Sequence, residues 1–437
     1  MTTKINSIAV LGGGTMGLGI AGLCAQNDRK VMILDISMEA AGKSLERIVN
    51  GRPPAVDDPE KVDNITLGTF ENDLEKIADY DWICEAVIEN LETKRDLFTR
   101  VEPLRKEGSV ISTNTSGIPL KDIIEGMPDR LRRDIAVTHF FNPVKIMRLM
   151  ELVPGEDTDP AVIDSLAAFC GGVLGKGVVF AKDTVNFIGN RIGCFWMLMG
   201  LHQAQQALED GLSMETIDAL MSKPVGLPPT GLYGLIDLIG LDVMDLVGKN
   251  LAVNLPAGDM GVDFTSFPDA VKALLERGQL GRKTGGGFYR MIKNDDGSKT
   301  VEAFDLIAGD WRLSEKTQLD DAHATLEGLF VDDAQGRFSW AMTSAVLSYA
   351  ADLVPEIADD IVNIDRAMRW GFAWGRGPFE MIDALGPQRM MDRLKEEGRH
   401  VPKMLQVLTD AGAQTFYRND GAEYLGQDGN YHQTPAE

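Results

Sequence analysis

An α/β domain built on a mostly parallel sheet, followed by an all-α region made of two repeated helical units, is the architecture this sequence predicts, and three features predict it. Strand-like apolar runs alternate with helical patterns up to about residue 184. From Val185 the strand rhythm stops and apolar residues recur at helical spacing. Within that second part, G-L-Y-G-L-I-D-L-I-G at 231–240 returns as G-P-F-E-M-I-D-A-L-G at 377–386, each preceded by an Ile-Asp pair, Ile217-Asp218 and Ile364-Asp365. The predicted divisions are 1–184, a first helical domain at 185–292, a connector at 293–334, and a second, structural copy at 335–437 ending in a polar tail.

The totals limit the function classes. A chain of 437 residues exceeds one ordinary core. Hydrophobic residues at 44% and charged residues at 25% are globular values. No apolar run approaches the ~20 residues of a membrane helix. The N-terminus M-T-T-K-I-N-S lacks a signal-peptide core. Cys24, Cys84, Cys170 and Cys194 stand far apart in apolar segments, without metal-ligand spacing or a disulfide framework, so no metal is expected and a cytoplasmic location is. A net charge of −23 argues against nucleic acid or an anionic membrane as partner. It leaves room for an anionic cofactor, because backbone N–H groups at a helix start bind phosphate locally.

The first elements specify such a site. I-N-S-I-A-V-L at 5–11 reads as a buried strand and leads into G-G-G-T-M-G. Gly12, Gly14 and Gly17 match G-x-G-x-x-G, with Thr15 and Met16 opening a helix. The glycines allow a tight turn, close approach of a pyrophosphate and close helix–strand packing. The next strand, K-V-M-I-L-D, ends in Asp35, eighteen residues after Gly17, where a ribose-binding acid belongs. Together these predict a Rossmann-type dinucleotide-binding domain. Asp35 would repel a 2′-phosphate and no arginine follows it closely, so NAD is favoured over NADP.

A helix at 38–50 is broken by Arg52-Pro53-Pro54, and 57–79 is acidic and mixed. D-W-I-C-E-A-V reads as a strand. Glu89 lies where it gives way to a helix running to about Leu104, with Lys94 one turn in. S-V-I-S-T ends in Asn114-Thr115-Ser116, and a helix is expected from about Leu120. On residues alone Glu89 reads as a surface acid and 114–116 as capping groups. Then comes T-H-F-F-N-P-V-K-I-M-R-L-M-E at 138–151, with His139 one of five histidines and Glu151 twelve residues later. A histidine can take and return a proton near neutrality, and a carboxylate on its second nitrogen would fix its tautomer. The Asn142-Pro143 step suits a turn that sets His139 at a strand end. A helix is expected from Asn186 to Gly211, with Asn190 near its start, and loops at 253–268 and 292–302.

With these residues in view, the sequence resembles the L-3-hydroxyacyl-CoA dehydrogenase family, in its long form with a duplicated helical domain. The carriers are G-G-G-T-M-G, E-N-L-E-T-K at 89–94, N-T-S at 114–116, H-F-F-N-P-V…M-E at 139–151, K-D-T-V-N-F-I-G-N-R at 182–191 and G-R-K-T-G-G-G-F-Y at 281–289. The resemblance implies NAD-dependent oxidation of an L-3-hydroxyacyl-CoA to a 3-oxoacyl-CoA by hydride transfer from C3. It makes His139 the general base with Glu151 its partner, has Ser116 and Asn190 hold the substrate oxygen, and gives Asn142 a contact with the acyl-CoA. Glu89, Lys94 and Lys283 match positions at the nicotinamide end of the cofactor. Departures are Val185-Asn186 for the family's Pro-Gly, Gly117 for its second serine, and G-L-Y-G at 231–234 for its first G-P-F-E. Rival readings are a dehydrogenase of a small free 3-hydroxy acid and a non-catalytic protein keeping the fold. Longer relatives carry an enoyl-CoA hydratase module after this point, so the chain reads either as complete or as part of such a protein. The second copy, without a counterpart of Asn190, is expected to fold back on 185–290 as an internal pseudo-dimer and leave a monomer, or a weak dimer through a different, smaller surface.

Overall fold

The computed structural model describes residues 3–437. The chain forms two compact units. The first runs to Ile188 and includes Glu356–Asp359 and Ala436–Glu437; the second is Gly189–Pro355 with Asp360–Pro435.

The first unit is an eight-stranded sheet in the order β3-β2-β1-β4-β5-β6-β7-β8, with β1 Ser7–Leu11, β2 Lys30–Asp35, β3 Ile65–Thr69, β4 Trp82–Glu85, β5 Val110–Thr113, β6 Ile135–Phe140, β7 Leu149–Pro154 and β8 Gly177–Phe180. All neighbours pair in parallel except β6 and β7. β1 is buried along its whole length, as a central strand covered on both faces must be. Helices α1 (Thr15–Gln26), α2 (Met38–Asn50), α3 (Leu91–Val101) and α4 (Pro160–Gly172) serve the crossovers. Helix α2 spans the predicted 38–50 and starts on Ser37, whose side chain accepts from the Ala40 amide. Ile8, Val10, Ile33, Cys84 and Trp82 form the middle of the core with Phe169 of α4. Strand order reverses at β1, between β2 and β4, so a crevice opens at their carboxyl ends.

Three local expectations change. The acidic stretch 57–79 holds edge strand β3, whose single neighbour leaves it half exposed and without an apolar signature. The helix expected from Leu120 is four residues, Leu120–Ile123. The helix expected from Asn186 begins at Gly189, because Asn186 and Phe187 have φ of 60° and 50°, a left-handed conformation no right-handed helix contains.

The second unit packs α5 (Gly189–Glu209), α6 (Met214–Leu220), α7 (Gly231–Ile239) and α8 (Leu241–Asn254) with α9 (Ala334–Asp352), α10 (Ile361–Gly371) and α11 (Pro378–Leu385). Helix α5 meets the later elements closely: Phe195 stacks on Tyr349 of α9 at 4.0 Å, and a Cβ on Gly193 would lie 2.2 Å from the Phe372 ring. One hydrogen-bond pattern occurs twice. Asp218 accepts from the Tyr233 amide at 2.7 Å, the Gly234 amide at 3.2 Å and the Tyr289 hydroxyl at 2.9 Å. Asp365 accepts from the Phe379 amide at 2.8 Å, the Glu380 amide at 3.2 Å and the Tyr417 hydroxyl at 2.8 Å. Asp237 then takes the amides of Phe288 and Tyr289, and Asp383 those of Phe416 and Tyr417. Each set opens a three-stranded antiparallel sheet: β9 Tyr289–Lys293, β10 Lys299–Asp305 and β11 Asp310–Leu313; then β12 Tyr417–Arg418, β13 Glu423–Leu425 and β14 Tyr431–Gln433. The first replaces the loop expected at 292–302. Its polar turn N-D-D-G-S and exposed outer residues hide the strands from a periodicity reading. No described helix is long and apolar enough to cross a membrane.

Candidate active site

The glycine turn follows β1 and its geometry fits a dinucleotide. Gly12 has φ of 101°, and a Cβ there would lie 2.7 Å from the Ala86 carbonyl oxygen. A Cβ on Gly17 would lie 1.8 Å from the Gly12 carbonyl oxygen, so helix and turn meet only through glycine. Gly14 differs: a Cβ there meets nothing within 4 Å. The space over Gly14, at the start of α1 beside Thr15 and Met16, is where a pyrophosphate would lie against backbone N–H groups. Asp35 stands at the end of β2, its carboxylate accepting from the Gly13 amide at 2.9 Å and the Ile36 amide at 2.7 Å. Arg47 of α2 reaches the Thr15 hydroxyl at 3.2 Å, a cation beside the turn that sequence reading missed.

At the ends of β6 and β7, His139 and Glu151 are directly opposed in an antiparallel register. Opposed residues point to the same face, and His139 Nδ1 lies 2.6 Å from Glu151 Oε2. Glu151 is fully buried and His139 nearly so. The second oxygen of Glu151 accepts from the Ile188 amide at 3.0 Å. The imidazole sits between the rings of Phe141 and Phe187, with centroids 4.6 and 5.6 Å away. The Asn114 side chain accepts from the Phe140 amide at 3.0 Å, so this residue holds the end of β6.

Beside it lies a buried ionic chain. Glu85, at the end of β4, takes the Lys94 ammonium at 2.7 and 2.9 Å, the Thr113 hydroxyl at 2.5 Å and the Val87 amide at 2.7 Å. Lys94 also lies 3.3 Å from Glu89. Glu89 in turn accepts from the Thr115 hydroxyl at 2.6 Å and from the Ser116 and Gly117 amides at 2.9 Å. Burial pushes the Glu89 carboxyl up, but Lys94, Thr115 and the two amides outweigh it and hold its pKa below the ordinary value. Lys94 thus faces two carboxylates from inside the protein, and Glu89 organises the turn that carries Ser116. Glu85 was not singled out from sequence. Its only signal there was an acid ending an otherwise apolar strand.

Asn142 is exposed on the turn after Phe141, and Lys176 braces that turn from beneath. The Lys176 ammonium donates to the carbonyl oxygens of Val144 and, at 2.8 Å, Met147. Burial lowers its pKa to about 8. Two predicted residues belong to the second unit. Asn190 is the second residue of α5, and Lys283 pairs with Asp242 at 2.5 Å.

Sheet order, glycine turn and terminal acid define an NAD-binding protein of the α/β dinucleotide-binding class. The family description "3-hydroxyacyl-CoA dehydrogenase, NAD binding domain" matches residues 7–184, and the C-terminal domain of the same family matches 187–291. The chain belongs to the 3-hydroxyacyl-CoA dehydrogenase family. A probable 3-hydroxyacyl-CoA dehydrogenase of Bacillus subtilis is 35% identical over 99% of this chain and 57% of its own length. One of Deinococcus radiodurans is 36% identical over 67% of this chain and 84% of its own. The solved 3-hydroxybutyryl-CoA dehydrogenase of Escherichia coli shares the fold, with a TM-score of 0.71 at 24% identity over 94% of this chain and 99% of its own. The (S)-3-hydroxybutyryl-CoA dehydrogenase of Ralstonia eutropha aligns with a TM-score of 0.55 at 28% identity over 65% of this chain and 98% of its own. The chain spans little more than half of some longer relatives, among them a putative fatty acid oxidation complex trifunctional enzyme of Rickettsia felis, of which it covers 53%.

Proposed function

We propose that this protein oxidises an L-3-hydroxyacyl-CoA to the 3-oxoacyl-CoA with NAD, and that His139 is the general base. The observation that carries the reading is the 2.6 Å contact between His139 Nδ1 and the buried Glu151 carboxylate. An ionised carboxylate only accepts, so Nδ1 carries the hydrogen and Nε2 presents a lone pair. Nε2 takes the proton of the 3-hydroxyl as C3 is oxidised, and Glu151 stabilises the imidazolium that results. In the reverse direction the imidazolium returns that proton to the oxygen. NAD, when bound, supplies the acceptor for the hydride leaving C3. Ser116 and Asn190 hold the reacting or thioester oxygen, and Asn142 contacts the acyl-CoA. Glu89 meets the nicotinamide end of the cofactor, Lys94 serves that end through Glu89, and Lys283 belongs to it as well. The acyl-CoA substrate follows from the names of the relatives and from the matched motifs, and a cytoplasmic site of action fits the unpaired buried cysteines.

We infer also that the second helical copy replaces a partner subunit. The repeated aspartate pattern of Asp218 and Asp365 supports duplication, and the Phe195–Tyr349 stack supports a fold-back within one chain. Light scattering should then show a monomer, and a stable dimer through α5 would sink that inference.

The function is tested by following NADH oxidation with acetoacetyl-CoA and, separately, with free acetoacetate. Turnover of the thioester and neglect of the free acid is the expected result; the converse identifies a small-acid dehydrogenase. His139→Gln should lose about 10²- to 10⁴-fold in kcat with NADH affinity unchanged. Near-wild-type turnover in that variant overturns the mechanism.

A further inference from the structure

We propose that Tyr349, on helix α9 of the second helical copy, is a positioning residue for Asn190, acting through Arg191 and Asp259. The inference rests on the reading of Asn190 as a residue that holds substrate.

Arg191 follows Asn190 in the first turn of α5, and its side chain is almost wholly buried. Its Nε donates to the Tyr349 hydroxyl at 2.6 Å, and its Nη2 donates to Asp259 Oδ2 at 2.5 Å. The triangle closes with the Tyr349 hydroxyl donating to Asp259 Oδ1 at 3.0 Å. Three elements therefore meet at one guanidinium: the start of α5, the loop after α8, and α9. A guanidinium is planar with donors at fixed angles, so partners on two sides fix its orientation as well as its place. Asp259 is itself held, its Oδ1 accepting from the Gly261 amide at 2.7 Å. Burial raises the Tyr349 pKa, so its hydroxyl stays protonated and serves as acceptor for Arg191 and donor to Asp259.

The start of α5 needs such an anchor. The chain enters it through Asn186 and Phe187, both left-handed and strained for residues with a Cβ. A strained entry persists only where its surroundings hold it, and the Arg191 clamp grips the turn that follows. Asn190 shares that turn, so a rotation of the first residues of α5 moves its amide directly. The ring of Tyr349 has a separate task, stacking on Phe195 at 4.0 Å with 28° between planes. Phenylalanine would keep the stack and lose only the hydroxyl. The hydroxyl is what ties the second copy to the turn bearing Asn190, so that copy does more than cover an apolar face.

The experiment is a double-mutant cycle on the full chain with Tyr349→Phe and Asn190→Ala, reading kcat/KM for acetoacetyl-CoA at saturating NADH, with NADH affinity and thermal midpoint measured on each variant. Asn190→Ala should lower kcat/KM. Tyr349→Phe alone should lower it about tenfold, the scale of a small misplacement of a substrate-holding group, with NADH affinity within about twofold of wild type. In the Asn190→Ala background the same substitution should change kcat/KM by less than about twofold, because the group it positions is gone. An equal loss in both backgrounds overturns the proposal, and so does wild-type activity in Tyr349→Phe. Wild-type activity in Asn190→Ala overturns the reading of Asn190 itself and the proposal with it. If Tyr349→Phe does not fold, Asp259→Asn is run through the same cycle and judged by the same outcomes.

Discussion

Replacing Glu151 by glutamine tests the proposed chemistry most sharply, because both oxygens of that side chain take donors. Glu151 accepts from His139 at one oxygen and from the Ile188 amide at the other, in a fully buried position. Glutamine is nearly isosteric but has one oxygen and one NH2. With the oxygen toward His139, the NH2 meets the Ile188 N–H, two donors face each other, and the unpaired buried group costs about 1–3 kcal/mol. With the oxygen toward Ile188, the NH2 faces His139 and forces the hydrogen onto Nε2. The wrong tautomer cannot take the substrate proton, and in the serine-protease triad that substitution lowers kcat by about 10⁴-fold. The first arrangement carries that cost and the second does not, so the arrangement with the wrong tautomer predominates. Glu151→Gln should therefore lose between about 10²- and 10⁴-fold in kcat with NADH affinity intact. The assay is NADH oxidation with acetoacetyl-CoA across neutral pH, with cofactor binding followed by NADH fluorescence. A variant retaining more than about a third of wild-type kcat would refute the claim that this carboxylate sets the tautomer.

Gly14 and Gly17 should separate binding from folding: Gly14→Val should keep the wild-type melting temperature and lose NADH binding in a fluorescence titration, because its side chain enters open space. Gly17→Ala should instead fail to fold or melt far lower, its Cβ lying 1.8 Å from the Gly12 oxygen. Asp35→Ser combined with Ile36→Arg should narrow the preference for NADH over NADPH, measured as the ratio of kcat/KM values, and equal use of both cofactors by the wild type would dispose of the ribose assignment. Lys176 has a folded-state pKa of about 8, below that of an unfolded lysine, so the folded state favours its neutral form. Its burial penalty is present in full below about pH 8 and fades as pH rises toward the unfolded value near 10.4, a change of about 3 kcal/mol at most. Urea unfolding of wild type and Lys176→Met across that window should show the wild type gaining stability relative to the variant, and parallel curves would contradict the assignment.

Much of this protein could be read along the chain because the features concerned are local. A strand, a glycine turn, a helix and a strand ending in Asp35 are demands of backbone conformation and close packing, and each is met by residues within about thirty positions of one another. The hydrogen-bond pattern that occurs twice is local in the same way, since Asp218 and Asp365 cap amides only fifteen and fourteen residues ahead. Even the departure at Asn186 is explained locally: its φ of 60° suits glycine, and asparagine tolerates it better than most residues. Sheet order and packing decided the rest. That His139 opposes Glu151 depends on the antiparallel register of β6 and β7, which a spacing of twelve does not specify. Glu85 becomes the partner of Lys94 and Thr113 because β4 and β5 are neighbours. Lys94, read from its motif as a cofactor contact, is turned inward by that carboxylate. Lys176 and Arg191 find partners 29 and 158 residues away in the chain. The physical reason is common to all of them. A buried charge is tolerable only where packing brings it a partner, and which partner arrives is set by which strands and helices become neighbours.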